Sequence, residues 1–304
     1  MQRNWIGVVE LVTAMMISGT IGFFVVVSNQ PTFNVVFSRC LIGAVGLGIV
    51  CAALGMFKRE YFTKRNITLA VLSGVAVVTN WILLFGSFSK ASITISTVVY
   101  HTQPIILAMM GVAFLGEKLN ISKVFWLLFA FVGMIAVVSA RDISTDTGTD
   151  YLMGVIMAFG AAVLYAVTVL LVKKLTGVPP HLVALTHVSV GTIMLFPLMQ
   201  WQIMPNGQVE WGAILALGLM CTVLMYIIMY DGIQRLETSV TGALAFIYPI
   251  AAIVVDYVAF DRQLTWMQWV GSAAILLGAA AMTLRWRVPF IDQANRDKVA
   301  AKTS

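Results

Sequence analysis

Residues 71–110, VLSGVAVVTNWILLFGSFSKASITISTVVYHTQPIILAMM, and residues 214–255, ILALGLMCTVLMYIIMYDGIQRLETSVTGALAFIYPIAAIVV, carry the pattern that decides the fold. A constant shift of 145 residues places Trp81 on Tyr226, Lys90 on Arg235 and Pro104 on Pro249 without a gap. Closer to the start of each half, QPTFNVVFSRC (Gln30 to Cys40) matches VPPHLVALTHV (Val178 to Val188) at a shift of 148, pairing Pro31 with Pro179 and Arg39 with His187. Self-similarity at this scale marks a chain built from duplicated halves.

The surrounding composition says what kind of half is duplicated. The 304 residues are 60% hydrophobic and only 11% charged, and the mean hydropathy is +0.93, far outside soluble composition. Crossing a hydrocarbon core of about 30 Å takes about 20 apolar residues in a helix. Ten runs of that kind are predicted: Ile6 to Val27, Phe33 to Gly55, Ile67 to Phe88, Ile93 to Leu115, Ile121 to Ser139, Tyr151 to Val172, Leu182 to Met199, Trp211 to Tyr230, Val240 to Phe260 and Trp266 to Leu284. The expected fold class is an all-α polytopic membrane protein of ten transmembrane helices. The first run is of full spanning length and lacks a clean small-residue cleavage site, so it reads as a retained helix.

Charge sets the expected topology. With the N-terminus inside, fifteen Lys and Arg residues fall on the cytoplasmic side, whereas the opposite side receives only Lys90, Arg141 and Arg262. This positive-inside bias places both termini in the cytoplasm. Five helices per half is an odd number, so the second copy enters the membrane from the opposite side and the repeat is inverted. The expected division is a first five-helix repeat over 1–140, an acidic inter-repeat loop over 141–150, a second repeat over 151–285 and a basic cytoplasmic tail over 286–304. Two similar halves of opposite orientation can exchange conformations and expose a shared cavity to either side in turn.

Several function classes lose ground here. The net charge of +6 is distributed by topology rather than as a nucleic-acid patch. Cys40, Cys51 and Cys221 lie inside apolar runs without metal-ligand spacing, which argues against a disulfide framework or a zinc site. No phosphate-cradling Walker motif is present, so ATP-driven pumping by this chain alone is not expected. An intramembrane enzyme would need a nucleophile with its acid or base partner, and no such arrangement stands out. No cofactor or metal is expected.

The stretches PTFNVVFSRCLIGA, QPIILAMMGVAFLGEKL and YPIAAIVVDYVAFDRQLTWMQWVGSAAILLGAA resemble the drug/metabolite transporter superfamily, specifically its ten-helix EamA-type permeases. The resemblance covers nearly the whole chain. It departs from the family where the second half has Phe260, Asp261 and Arg262 in place of a Gly-Glu-Arg/Lys pattern. Such permeases generally export or exchange amino acids and small metabolites, and the resemblance implies a multi-pass protein of a bacterial inner membrane.

Within this frame the polar segment YHTQP (Tyr100 to Pro104) stands out. Pro104 falls near mid-membrane, and Pro249 takes the same depth in the second half. A proline inside a helix frees a carbonyl and bends the axis, which membranes tolerate where water or neighbouring groups satisfy the backbone. Polar groups are costly in hydrocarbon, so Tyr100, His101 and Gln103 are expected to face a midplane cavity with Asn80, Trp81, Tyr165, Tyr226, Tyr230 and Tyr248. The competing reading is that these rings pack the bundle. An aromatic, mostly neutral pocket suits an amphipathic solute, and a cation could stack on its rings. His101 could couple proton movement to transport, bind a carboxylate, or be a neutral histidine held by a neighbouring helix.

The intramembrane charges leave further alternatives. Arg39 needs a partner or a water-filled path, and Asp256 matches its depth; pairing, snorkelling and substrate binding stay open. Glu10 is positioned like the essential glutamate of related small multidrug pumps, but lies one turn from the cytoplasmic entry and is expected to snorkel. Asp231 is expected at the inner end of the eighth helix. Small residues from Gly271 to Ala281 permit close helix approach within the chain or across a homodimer face. The expected function is secondary transport of amino acids or related solutes by alternating access, in contact with lipid and with protons as a possible coupling ion. An importer of an organic cation, a passive channel and an intramembrane enzyme are the alternatives.

Overall fold

A computed structural model describes residues 2–91, 96, 99–117, 119–139, 151–260 and 265–286. Its helices are α1 (Gln2–Gly19), α2 (Ile21–Ser28), α3 (Thr32–Ala53), α4 (Lys64–Ala91), α5 (Gln103–Leu115), α6 (Ile121–Ser139), α7 (Tyr151–Lys174), α8 (Pro180–Leu195), α9 (Gln208–Gly218), α10 (Met225–Arg235), α11 (Thr238–Ala245), α12 (Ile247–Phe260) and α13 (Trp266–Thr283). A π-helical turn (Leu219–Leu224) joins α9 to α10, and there is no strand among the described residues. Among the described residues, seven helical stretches are long and apolar enough to cross a membrane: Trp5–Ser28, Thr32–Ala53, Lys64–Ser87, Tyr151–Lys174, Pro180–Leu198, Gln208–Arg235 and Thr238–Ala259. Two shorter apolar helices, Gln103–Leu115 and Ile121–Val137, accompany them. The chain is an all-α polytopic membrane protein.

The aligned prolines recur as equivalent structural devices. Pro31 caps α3 with φ −55° and ψ 144°, and Pro179 caps α8 with φ −56° and ψ 135°. A residue fixed near φ −65° with no N–H to satisfy is suited to the start of a helix. The second pair marks a break instead of a bend in a continuous helix. The chain turns at His101 and Thr102 before α5 begins at Gln103, and turns at Phe246 before α12 begins at Ile247. Pro104 and Pro249 therefore sit in the first turn of a new segment, where a missing N–H costs nothing. Thr102 helps the break by donating its hydroxyl to the Val99 carbonyl at 2.7 Å.

Helices pack by close backbone approach where side chains are small. A Cβ added at Gly271 of α13 would lie 2.5 Å from the Gly133 carbonyl of α6, and one at Gly278 would lie 2.8 Å from Ala130 Cβ. The small-residue face of the last helix is thus used inside the chain against α6. Around the centre, α3 packs on α8, α1 on α10, and α4 on α7 and α8, so helices of the two halves alternate about one interior. Leu47, Val78, Val172 and Leu195 are among its fully buried apolar side chains.

A central cavity lined by both halves

The interior holds a cavity of about 250 Å³ with walls drawn from both halves of the chain. The first half contributes Met15, Ser18, Arg39, Trp81, Tyr100, His101 and Gln103, and the second contributes Tyr165, Thr168, Met225, Tyr226, Met229, Tyr230 and Tyr248. The walls are mainly aromatic and aliphatic. Trp81 and Tyr226, the same position in the two copies, stack on each other with centroids 6.4 Å apart and planes 26° apart. His101 stacks on Tyr248 at 6.1 Å and 19°, Tyr100 meets Tyr165 edge-on at 6.3 Å, and Tyr226 leans on Tyr230 at 5.5 Å.

The break before Pro104 positions part of this wall. His101 and Gln103 flank the point where the chain leaves one helical segment and enters the next, which turns both side chains inward; they are 3% and 7% exposed. Gln103 Oε1 has no hydrogen-bond partner among the described residues. On the facing side, Tyr230 is anchored by a buried chain: His187 Nδ1 lies 2.6 Å from the Tyr230 hydroxyl, and His187 Nε2 lies 2.6 Å from Ser73 Oγ. Ser73 also donates to the Ala70 carbonyl at 3.0 Å. Either tautomer of His187 satisfies both contacts, with one ring nitrogen donating and the other accepting.

Arg39 enters the cavity from α3. Its Nε donates to Thr222 Oγ1 at 3.1 Å and one Nη2 hydrogen to the Cys221 carbonyl at 3.1 Å. Its guanidinium carbon lies 5.8 Å from the Trp81 ring centroid and 5.9 Å from that of Tyr226, within cation–π range. The π turn makes this possible. Thr222 donates its own hydroxyl to the Leu217 carbonyl five residues back at 2.8 Å, leaving its oxygen aimed across at α3. Single π turns inside α-helices are rare and recur at functional sites.

At one end of the bundle the two halves are joined by ionic contacts. Glu117, in the loop after α5, accepts from the Thr238 N–H at 3.0 Å through each carboxylate oxygen and from the Thr238 hydroxyl at 2.5 Å, with Lys173 Nζ 3.8 Å away. A carboxylate at the first turn of α11 satisfies free N–H groups and complements the helix dipole. Lys123 pairs with Glu237 at 2.5 Å, and Arg285 reaches Glu237 at 3.1 Å. Partial burial pushes the Glu237 carboxyl up, but the Lys123 hydrogen bond and charge, with Arg285 and Lys173 behind it, hold it below the ordinary carboxylate value. Lys173 also donates to the Leu236 carbonyl.

Of the residues expected in the pocket, Trp81, Tyr100, His101, Gln103, Tyr165, Tyr226, Tyr230 and Tyr248 line this cavity. Asn80 does not: it is fully buried behind the wall, donating to the Ala161 carbonyl at 2.6 Å. Glu10 also lies off the cavity, 3.2 Å from Arg235, which is in turn paired with Asp231. The side chain of Asp256 lies outside the described residues, and with it the pairing to Arg39 that the sequence leaves open. Met15, Met225 and Met229 also line it, although methionines in the sequence read first as helix packing with only some in a tolerant pocket; Ser18 and Thr168 were not singled out from sequence, and Ser18 donates to Met225 Sδ at 2.9 Å. The spacing of Met225 and Met229 beside Tyr226 and Tyr230, one helical face apart in register, was the signal available. Thr222, the residue that holds Arg39, carried none.

The EamA-like transporter family model matches the chain twice, over residues 5–139 and 152–284. This chain belongs to the EamA-like transporter family. It is 32% identical over 279 residues to YxxF of Bacillus subtilis, named as an uncharacterized transporter, covering 91% of this chain and 89% of that protein. It is 23% identical over 188 residues to the aromatic amino acid exporter YddG of Ancylobacter novellus, covering 61% of this chain and 65% of the exporter. A solved crystal structure superposes with a TM-score of 0.80 at 18% identity, covering 93% of this chain and 99% of its own, a likeness of fold. The duplication read from the 145-residue shift coincides with two copies of one transporter unit.

Proposed function

We propose that this protein is a secondary transporter of small amphipathic metabolites, with amino acids as the first candidates, which it exports or exchanges by alternating access. One observation carries the reading: an aromatic cavity, walled by both copies of the repeat, lies where their broken helices meet. Its volume of about 250 Å³ is below the roughly 300–1,000 Å³ of drug-sized ligand sites and suits one small metabolite. The likeness to an aromatic amino acid exporter points the same way. The halves form an inverted pair, and the ionic contacts around Glu117 and Glu237 hold one end of the cavity closed. Opening that end while the other closes is the transport step, and the bacterial inner membrane, with both termini cytoplasmic, is the proposed setting.

The test is counterflow in proteoliposomes loaded with a mixed amino-acid pool, comparing wild type with Gln103→Ala and His101→Ala across a proton gradient. Saturable exchange that both variants weaken is the expected result. Proton dependence lost in His101→Ala alone would assign coupling to that residue. Exchange that does not saturate, or that neither variant alters, would overturn the cavity as the transport site.

A further inference from the structure

Arg39 is 8% exposed at membrane depth, in a cavity whose other walls are neutral. A guanidinium has five N–H donors and never loses its charge in a protein. Two of Arg39's are held, one by Thr222 and one by the Cys221 carbonyl, and the Nη1 group makes no hydrogen bond among the described residues. No carboxylate of the described residues lies within 4.0 Å of it. A hydroxyl, a carbonyl and two ring faces orient the group, but they do not offset its charge. Taking an ion out of water costs several kcal/mol unless an opposite charge with good hydrogen-bond geometry repays it.

We propose that Arg39 is the carboxylate-binding subsite of this cavity, so that the transported solute carries a carboxylate on an apolar or aromatic body. The proposal rests on the transport reading above and names the substrate class for it. The Thr222 and Cys221 contacts fix the plane of the fork from one side, which leaves the Nη1 edge presented for charge-assisted hydrogen bonds to a carboxylate. The Trp81 and Tyr226 rings, 5.8 and 5.9 Å from the guanidinium carbon, would lie along the apolar body of such a solute. A carboxylate on an aromatic body, α-amino acids among them, matches this part of the wall.

The experiment is inhibition of L-phenylalanine counterflow in proteoliposomes by four probes: L-phenylalanine, 3-phenylpropionate, L-phenylalaninamide and 2-phenylethylamine. In wild type the two carboxylates should compete about tenfold or more better than the amide and the amine. Arg39→Gln should erase that preference, while Arg39→Lys, which keeps the charge but loses the fork, should retain part of it. Equal competition by phenylalanine and its amide in wild type would overturn the proposal without any variant having to fold. So would a carboxylate preference that survives Arg39→Gln. If 2-phenylethylamine is exchanged and the carboxylates are not, the cavity stands as a transport site and only the role of Arg39 falls. If none of the four is exchanged or competes, the amino-acid reading falls and the Arg39 assignment with it.

Discussion

Glu117→Gln offers a direct way to test whether the ionic end of the bundle is a gate. In the structure the Glu117 carboxylate accepts from the backbone N–H and the hydroxyl of Thr238, at 3.0 and 2.5 Å, and thereby ties the loop after α5 to the start of α11 in the other half. Hydrogen bonds to a charged acceptor contribute about 1.5–3 kcal/mol and neutral ones about 0.5–1.5 kcal/mol, so the amide should weaken this tie by about 1–2 kcal/mol. If the tie exists only while that end is closed, the closed-to-open ratio falls by a factor of about 5–30. The reporter is a cysteine introduced at Ile233, which lines the cavity toward that end, in a background with Cys40, Cys51 and Cys221 replaced by alanine. Its labelling by a membrane-impermeant maleimide applied from the side of the ionic cluster should accelerate by about that factor. A labelling rate within about twofold of the parent, with a melting midpoint lowered as a 1–2 kcal/mol loss requires, would refute the gate and leave Glu117 as a helix cap alone.

Two further outcomes are expected. Gly271→Leu should lower thermal stability in detergent: even its Cβ would lie 2.5 Å from the Gly133 carbonyl, so backbone must separate from backbone, and overpacking of this kind typically costs about 1–3 kcal/mol. Gly48→Leu, where an added Cβ meets nothing within 4 Å, should leave the melting midpoint unchanged, and equal losses from the two variants would remove the close-packing argument. The Glu237 carboxyl is held below its ordinary value of 4.5 chiefly against partial burial by Lys123, Arg285 and Lys173. A depressed pKa contributes stability that is present above the unfolded value and lost as pH falls through the folded one. The melting difference between wild type and Glu237→Gln should therefore be full at neutral pH and close only below about 4.5; a difference that does not change across that range would show that the pair carries no net charge stabilisation.

The sequence by itself determined the class of molecule and its duplication. Apolar runs of spanning length follow from the absence of hydrogen-bonding partners in hydrocarbon, so composition alone forces helices. The 145-residue shift already pairs Trp81 with Tyr226, and the polar cluster around Gln103 and Tyr230 marks itself because such groups are expensive at midplane. Prolines at 104 and 249 announced a discontinuity, and only the fold decided that the helix stops ahead of each of them. Tertiary structure also decided where the charges went. Glu10 and Arg39 look alike in sequence as lone charges within apolar runs, yet Glu10 meets Arg235 at the ionic end while Arg39 meets Thr222 and Cys221 inside the cavity. Asn80 looked as exposed to solute as its neighbour Trp81, but adjacent residues on a helix point about 100° apart, and packing against α7 buried one and left the other on the wall. Periodicity fixes which face a residue shares within its own helix; which helix stands opposite, and so which partner satisfies a buried charge, depends on contacts between residues nearly two hundred positions apart.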